Sequence, residues 1–170
     1  MRRIIYSIAG VAAMLALTAC EKKDYPKGLP EYEHHYYIVH VPNNNTTKIS
    51  VNRDQPGLVK LPVQFYSSYT RNYDAVAHYS LVTTGIAAPA VPGQDFQVVD
   101  KNGNTLAPEG GKYSMIFPKA EQAKDTIYLK LLNSSVPGTR SVEIHLLENQ
   151  AQEFYVDIFS TAFRKTVEIK

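Results

Sequence analysis

The densest set of recognition chemistry in this chain lies in the segment YSSYTRNY, where Tyr66, Tyr69 and Tyr73 crowd beside Arg71 and Asn72. Aromatic faces stack on sugar rings, and phenols anchor protein contacts through an apolar body and a polar tip. The segment is therefore the candidate ligand-binding surface. A competing reading has these rings cover an edge of the fold with their hydroxyls in water. The chain has no tryptophan, the preferred platform for sugars, which weighs against glycan stacking.

The other reactive side chains form no catalytic pattern, and no catalytic residue is assigned. His34 and His35 are adjacent, and neighbours on an extended strand point to opposite faces, so the two do not converge on one metal. With no second histidine or cysteine at ligand spacing, no metal site is assigned and no cofactor is expected. His40, His78 and His145 fall in predicted strands, where hydrogen-bonded or solvent-facing imidazoles are the usual outcome. Glu109-Gly110-Gly111-Lys112 lacks the strand and helix that a phosphate loop needs, and no Gly-x-Ser-x-Gly elbow is present. A glycosidase needs two carboxylates across a cleft, and short loops leave little room for one, so the expectation is a protein without enzymatic activity.

Cys20 carries a different chemistry. Arg2 and Arg3 precede an apolar run from Ile4 to Leu17, followed by small residues, which is the order of a secretory signal. The run is shorter than the ~20 residues a membrane-crossing helix needs. Leu17-Thr18-Ala19-Cys20 resembles the lipobox, in which a diacylglyceryl group is attached to the cysteine thiol before cleavage. Residues 1–19 are thus read as a signal peptide and Cys20 as the lipidation site. The expected product is a membrane-anchored lipoprotein of the cell envelope, in the outer membrane. Cys20 is the sole cysteine, so the body has no disulfide available.

Cleavage removes two of the 18 basic residues and leaves them equal in number to the 16 acidic ones. A neutral mature chain gives no reason to expect nucleic acid as a partner. Residues 20–34 read as the lipidated cysteine and a flexible tether: Glu21 to Glu33 is polar, holds Pro26, Gly28 and Pro30, and reaches about 40 Å when extended.

These candidate residues must be positioned by the remaining stretch, 35–170, which fits one domain. Its apolar residues come in short alternating bursts separated by Gly, Pro and Asn, the pattern of an all-β sandwich. Val59, Leu61, Val63 and Phe65 alternate with Lys60, Pro62 and Gln64, and Pro62 places this strand at an edge or turns its missing donor to solvent. Ile127 to Leu131, Val142 to Leu146 and Phe154 to Ile158 alternate likewise, and residues 133–139 supply a hairpin or a crossover between sheets. Val167 with Ile169 put a last strand at the C-terminus, as expected of a complete domain. Further strands are expected at Tyr36 to Val41, Thr47 to Val51, Val76 to Val82, Phe96 to Val99 and Lys112 to Phe117. Asn102-Gly103 favours a type I′ turn, and Pro118 to Ala123 allow one helical turn at most.

The segments Pro92-Gly93-Gln94-Asp95-Phe96, Tyr113 to Pro118, Asp125 to Leu129 and Val142 to Glu148 resemble, in order and spacing, the Calx-beta-like sandwich domains. They are also similar to domains of small lipoproteins of Bacteroides-type bacteria, often encoded beside glycan-uptake machinery. The resemblance implies a single immunoglobulin-like antiparallel β-sandwich that binds a glycan or an envelope protein partner. The rival is a structural or assembly subunit acting through sheet-edge contacts. Where the Calx-beta pattern places a Gly-Glu pair and then a pair of acids, this chain has Ala120-Glu121 and Leu132-Asn133, so the implied calcium site lacks its acids. Asp125-Thr126-Ile127 is similar to the acceptor triplet of the O-glycosylation system of such bacteria, which makes Thr126 a candidate modification site.

Overall fold

The structure is a computed structural model and describes residues 34–67, 70–121 and 123–170. The signal peptide, Cys20, the tether up to Glu33 and Tyr69 lie outside the described residues. Among the described residues eleven strands follow one another: β1 (His35–His40), β2 (Lys48–Val51), β3 (Leu58–Tyr66), β4 (Ala75–Val82), β5 (Phe96–Val99), β6 (Tyr113–Phe117), β7 (Ala123–Leu131), β8 (Arg140–Leu147), β9 (Asn149–Gln150), β10 (Tyr155–Ile158) and β11 (Arg164–Ile169). They form two sheets. Sheet A has the order β5-β7-β3-β1-β10-β9 and sheet B the order β2-β11-β8-β4-β6.

Period-two burial drives this layering. In β3, Val59, Leu61, Val63 and Phe65 are buried, and in β8 Val142, Ile144 and Leu146 are, while most of their neighbours reach solvent. The two inner faces meet through aromatic contacts such as Phe65 on Phe117, with ring centroids 4.4 Å apart. The all-β sandwich expected from the alternation is the fold observed.

Three expectations need correction. β3 is not an edge strand but sits between β7 and β1. Its proline is tolerated because β1 ends beside it: His40 pairs with Val63, and the next contact is a single bond from the Val41 amide to the Pro62 carbonyl. No ladder donor is demanded of Pro62 on that side. Second, not every pairing is antiparallel. β1 runs parallel to β10 and β2 parallel to β11, because the first and last strands switch sheets side by side. Bonds from Asn45 N to Thr161 O (2.8 Å) and from Arg164 N to Asn45 Oδ1 (3.0 Å) tie the two switch points together. Third, the reversal after β5 is not type I′: of its residues Gly103 alone has positive φ (+87°), and the Asp100 carboxylate accepts from the amides of Asn102 and Asn104. The Asp100 side chain organises the turn one residue earlier than the Asn-Gly pair would.

Residues 133–139 form a crossover between sheets, since β7 belongs to sheet A and β8 to sheet B. Pro118–Ala120 makes one 3-10 turn, with Lys119 and Ala120 in the left-handed region (φ +52° and +46°). Asp74 holds it by accepting from the Lys119 amide at 2.9 Å.

Candidate functional site

Alternation along β1 sends Tyr36 and Ile38 inward and leaves His35 and Tyr37 on the outer face of sheet A. The parallel register with β10 sets His35 opposite Tyr155 and Tyr37 opposite Asp157. A row of rings results. Tyr155 lies 4.7 Å from His35, His35 stacks on Tyr37 at 5.0 Å, and Tyr37 stacks on Phe159 at 4.8 Å with 15° between planes. Tyr66 joins it from β3, where it pairs directly with Tyr37. Phe159 is 43% exposed and Tyr66 41%, so two large rings stand open at one end of the row.

Carboxylates fringe this face. Asp157 Oδ2 lies 3.3 Å from His35 Nε2, and the Tyr155 hydroxyl donates to Glu148 Oε2 at 2.8 Å. Burial pushes the Tyr155 phenol up, and the hydrogen bond to Glu148 adds to the effect. It stays protonated and donating across the physiological range. The surface offers stacking faces beside hydrogen-bond acceptors.

The segment singled out in the sequence is divided between two sides of sheet A. Tyr66 ends β3 on the outer face, but Tyr73 turns toward the core, stacking on Phe154 at 5.8 Å and on His34 at 5.7 Å. Its hydroxyl lies 2.6 Å from the Tyr36 hydroxyl and 2.5 Å from His34 Nδ1, and Arg71 Nε donates to Tyr36 Oη at 3.2 Å. Burial, then the bond to Tyr36, pushes the Tyr73 phenol up. This knot closes the end of the core, while Asn72 is exposed beside it. Thr126 is half-buried in β7 opposite Pro62, where its amide donates to Asp125 Oδ1 at 2.7 Å.

The sequence reading missed His35, Tyr37, Tyr155 and Phe159. The alternation that separated His34 from His35 also places His35 and Tyr37 on one face. What it could not supply is the parallel register that brings residues ~120 positions away alongside.

The remaining histidines are each engaged. His40 is buried and donates through Nε2 to the Ile144 carbonyl at 3.0 Å, tying β1 to the opposite sheet. His78 meets Ser114 at 3.1 Å and His145 meets Glu143 at 2.7 Å, both on the outer face of sheet B.

Two packed sheets whose terminal strands cross together define a sandwich class, and solved structures share it. The apo form of the Calx CBD1 domain is 16% identical, with a TM-score of 0.52 over 79% of this chain and 95% of that one. The Calx CBD2 domain is 13% identical, with a TM-score of 0.50 over 78% and 85%. The calcium binding domain CBD12 of CALX1.1 is 15% identical, with a TM-score of 0.50 over 78% of this chain and 44% of that one. No protein-family profile and no curated protein matches the sequence. The likeness is one of fold, a Calx-beta-like β-sandwich.

The residues do not fit the calcium site that this fold implies. Calcium takes six to eight oxygens with carboxylates among them. The crossover at residues 132–139 offers no carboxylate. Its carbonyls point at a resident cation instead: Arg53 donates to Ser134 O (2.8 Å), Val136 O and Gly138 O (2.6 Å), and its Nε reaches Lys170 O at 3.2 Å. Among the described residues no three His, Cys, Asp or Glu side chains converge on one point.

Proposed function

We propose that the protein is a non-enzymatic binding module, held to the outer membrane by lipid on Cys20, whose outer aromatic face on sheet A recognises a glycan. The observation that carries this reading is the ring row ending in Phe159 and Tyr66, two open faces on a sheet surface that would otherwise be polar. Single exposed apolar residues are ordinary, whereas a contiguous set marks a contact surface. Asp157 and Glu148 beside the rings supply acceptors for sugar hydroxyls. The small-lipoprotein resemblance points the same way.

Affinity electrophoresis in gels cast with a panel of polysaccharides tests it. Retention is expected for at least one glycan, with Phe159→Ala and Tyr66→Ala each reducing it. Equal mobility in every gel defeats the proposal. The anchor has its own test, because Cys20→Ser is expected to shift the protein from the membrane fraction to the soluble one.

The alternative of an assembly subunit joined through sheet edges has less to work with. The edge strands β5, β9, β2 and β6 are four, two, four and five residues long, and short edges are how sandwiches avoid strand addition. Stoichiometric co-purification of a partner with the wild-type lipoprotein, lost on interrupting β6, would revive it.

A further inference from the structure

A cleft opens between the sheets where β5 stops short. β5 pairs with residues 128–131 of β7, so among the described residues no strand pairs with the first half of β7 on that side. Edge strand β6 bounds the opening from sheet B, and the Asp100–Asn104 turn forms its rim. The space measures about 300 Å³, at the small end of ligand sites. Val99, Leu106, Met115 and Ile127 make an apolar floor.

Asp100, Lys101, Asn102 and Ser114 stand around that floor, and Tyr79 and Asp125 face one another across it. Tyr79 is 2% exposed and lines the cleft, and its hydroxyl has no hydrogen-bond partner among the described residues. Asp125 is exposed at the mouth of the cleft, two positions before the buried Ile127 in β7, and its charge reaches the Tyr79 phenol. Burial, with Tyr113 and Asp125 behind it, raises the Tyr79 phenol, which keeps it a donor. Although the ring is buried, the hydroxyl oxygen is not sealed in the core and opens to the cleft. Packing does not call for it, because the ring stacks on Tyr113 at 5.2 Å with or without the oxygen.

We infer that this cleft takes a neutral, monosaccharide-sized polyol, with Tyr79 donating to one of its hydroxyls and Asp125 accepting from another. The donor and acceptor inventory selects this class. The lining carries both signs of charge, Lys101 against Asp100 and Asp125, together with the Tyr79 hydroxyl, so an ammonium ion has no lone pair for Tyr79 or Lys101 and an anion meets two carboxylates. A sugar hydroxyl both donates and accepts, and the C–H face of a pyranose suits a floor of Met115 and Ile127. The cleft shares no residue with the aromatic face and does not rest on that proposal.

Calorimetric titration of the full chain with glucose, galactose, mannose and N-acetylglucosamine tests it, with ethylamine and acetate as charged comparators. Saturable binding of at least one sugar is expected, in the millimolar range. Tyr79→Phe is expected to weaken it about tenfold while leaving the melting temperature unchanged, an outcome that a structural hydroxyl would not give. Asp125→Asn is expected to weaken it comparably. Absence of saturable sugar binding overturns the inference, as does tighter binding of ethylamine or acetate. So does sugar binding that survives both substitutions. Should such binding instead be lost in Phe159→Ala, the outer face is the sugar site and the proposed function stands without the cleft.

Discussion

The two sheets obey one rule on their inner faces and differ on their outer ones. Sheet B meets water with polar groups that satisfy one another. Lys48 Nζ lies 2.9 Å from Glu168 Oε1, Ser50 donates to the other oxygen at 2.7 Å, and the Glu143–His145 and Ser114–His78 pairs continue the pattern, with Ile116 on edge strand β6 as the apolar exception. Sheet A, at β1 and β10, meets water with rings. Period-two alternation decides which residues face outward but not what they are, so the contrast reports on use. A surface whose groups satisfy one another with no ring faces showing has little to stack on, and one that leaves the faces of Phe159 and Tyr66 open has more.

The sharpest way to break this contrast is to ask whether the outer rings hold the fold together. Phe65 is fully buried on the inner face of sheet A, between Tyr36 and Phe117. Phe65→Ala is expected to cost about 3–5 kcal/mol in urea unfolding, the usual range for a phenylalanine removed from a core. Phe159→Ala is expected to cost less than about 1 kcal/mol, as surface substitutions do. Comparable losses would make the outer row a structural element and remove the case for recognition.

His40 provides the next largest effect, because it breaks the apolar rule on the inner face of sheet A. Its burial, opposed by the bond to Ile144 and reinforced by the charges of Lys165 and His145, lowers its pKa from 6.5 to about 4. Nδ1 has no partner among the described residues, and Lys165, also buried, donates to the Pro42 carbonyl nearby. The unfolded chain takes up a proton below pH 6.5 while the folded one refuses it until about 4, so this stability is complete above pH 6.5 and is lost as pH falls through that window. The loss amounts to roughly 3 kcal/mol. Urea midpoints measured between pH 7 and 4 are expected to show it, and His40→Gln is expected to flatten that part of the profile. An unchanged slope in the variant would assign the acid sensitivity to other groups.

A smaller effect separates the two halves of the tyrosine-rich segment. Tyr73→Phe removes a hydroxyl bonded to Tyr36 and His34 and is expected to cost about 1 kcal/mol without changing glycan retention. Tyr66→Ala is expected to do the reverse. If Tyr73→Phe alone abolished retention, the knot rather than the outer face would be the recognition surface.

Much of this architecture is legible in the sequence. The buried sets of β3, β7, β8 and β11 follow from alternation, as does the separation of His34 from His35. What stayed hidden depends on partners far away in sequence. Pro62 reads as an edge residue until β1 is seen to end beside it. The tyrosine-rich segment reads as one surface until Tyr36 and Phe154 draw Tyr73 inward. The ring row is invisible because its members come from β1, β3 and the β10 region, and a parallel register between first and last strands has no local signal. The cleft was equally out of reach, since it arises from β5 being shorter than β7.

The smallest predicted effect sharpens the contrast from the side of sheet B. Lys48 is exposed, and its pair with Glu168 is open to solvent screening, so the exchange of one charge there is a weak perturbation. Lys48→Ala is expected to leave the melting temperature unchanged within error and to leave glycan retention as in the wild type. Hydrogen bonds to Lys48 and Ser50 hold the Glu168 carboxyl below its usual range, and Ser50 remains in place after the substitution. Reduced retention in this variant would mean that the polar face also contacts ligand. Recognition would then follow the charge pattern of the whole domain rather than the ring row of sheet A, and the difference between the two faces would be one of composition without consequence for binding.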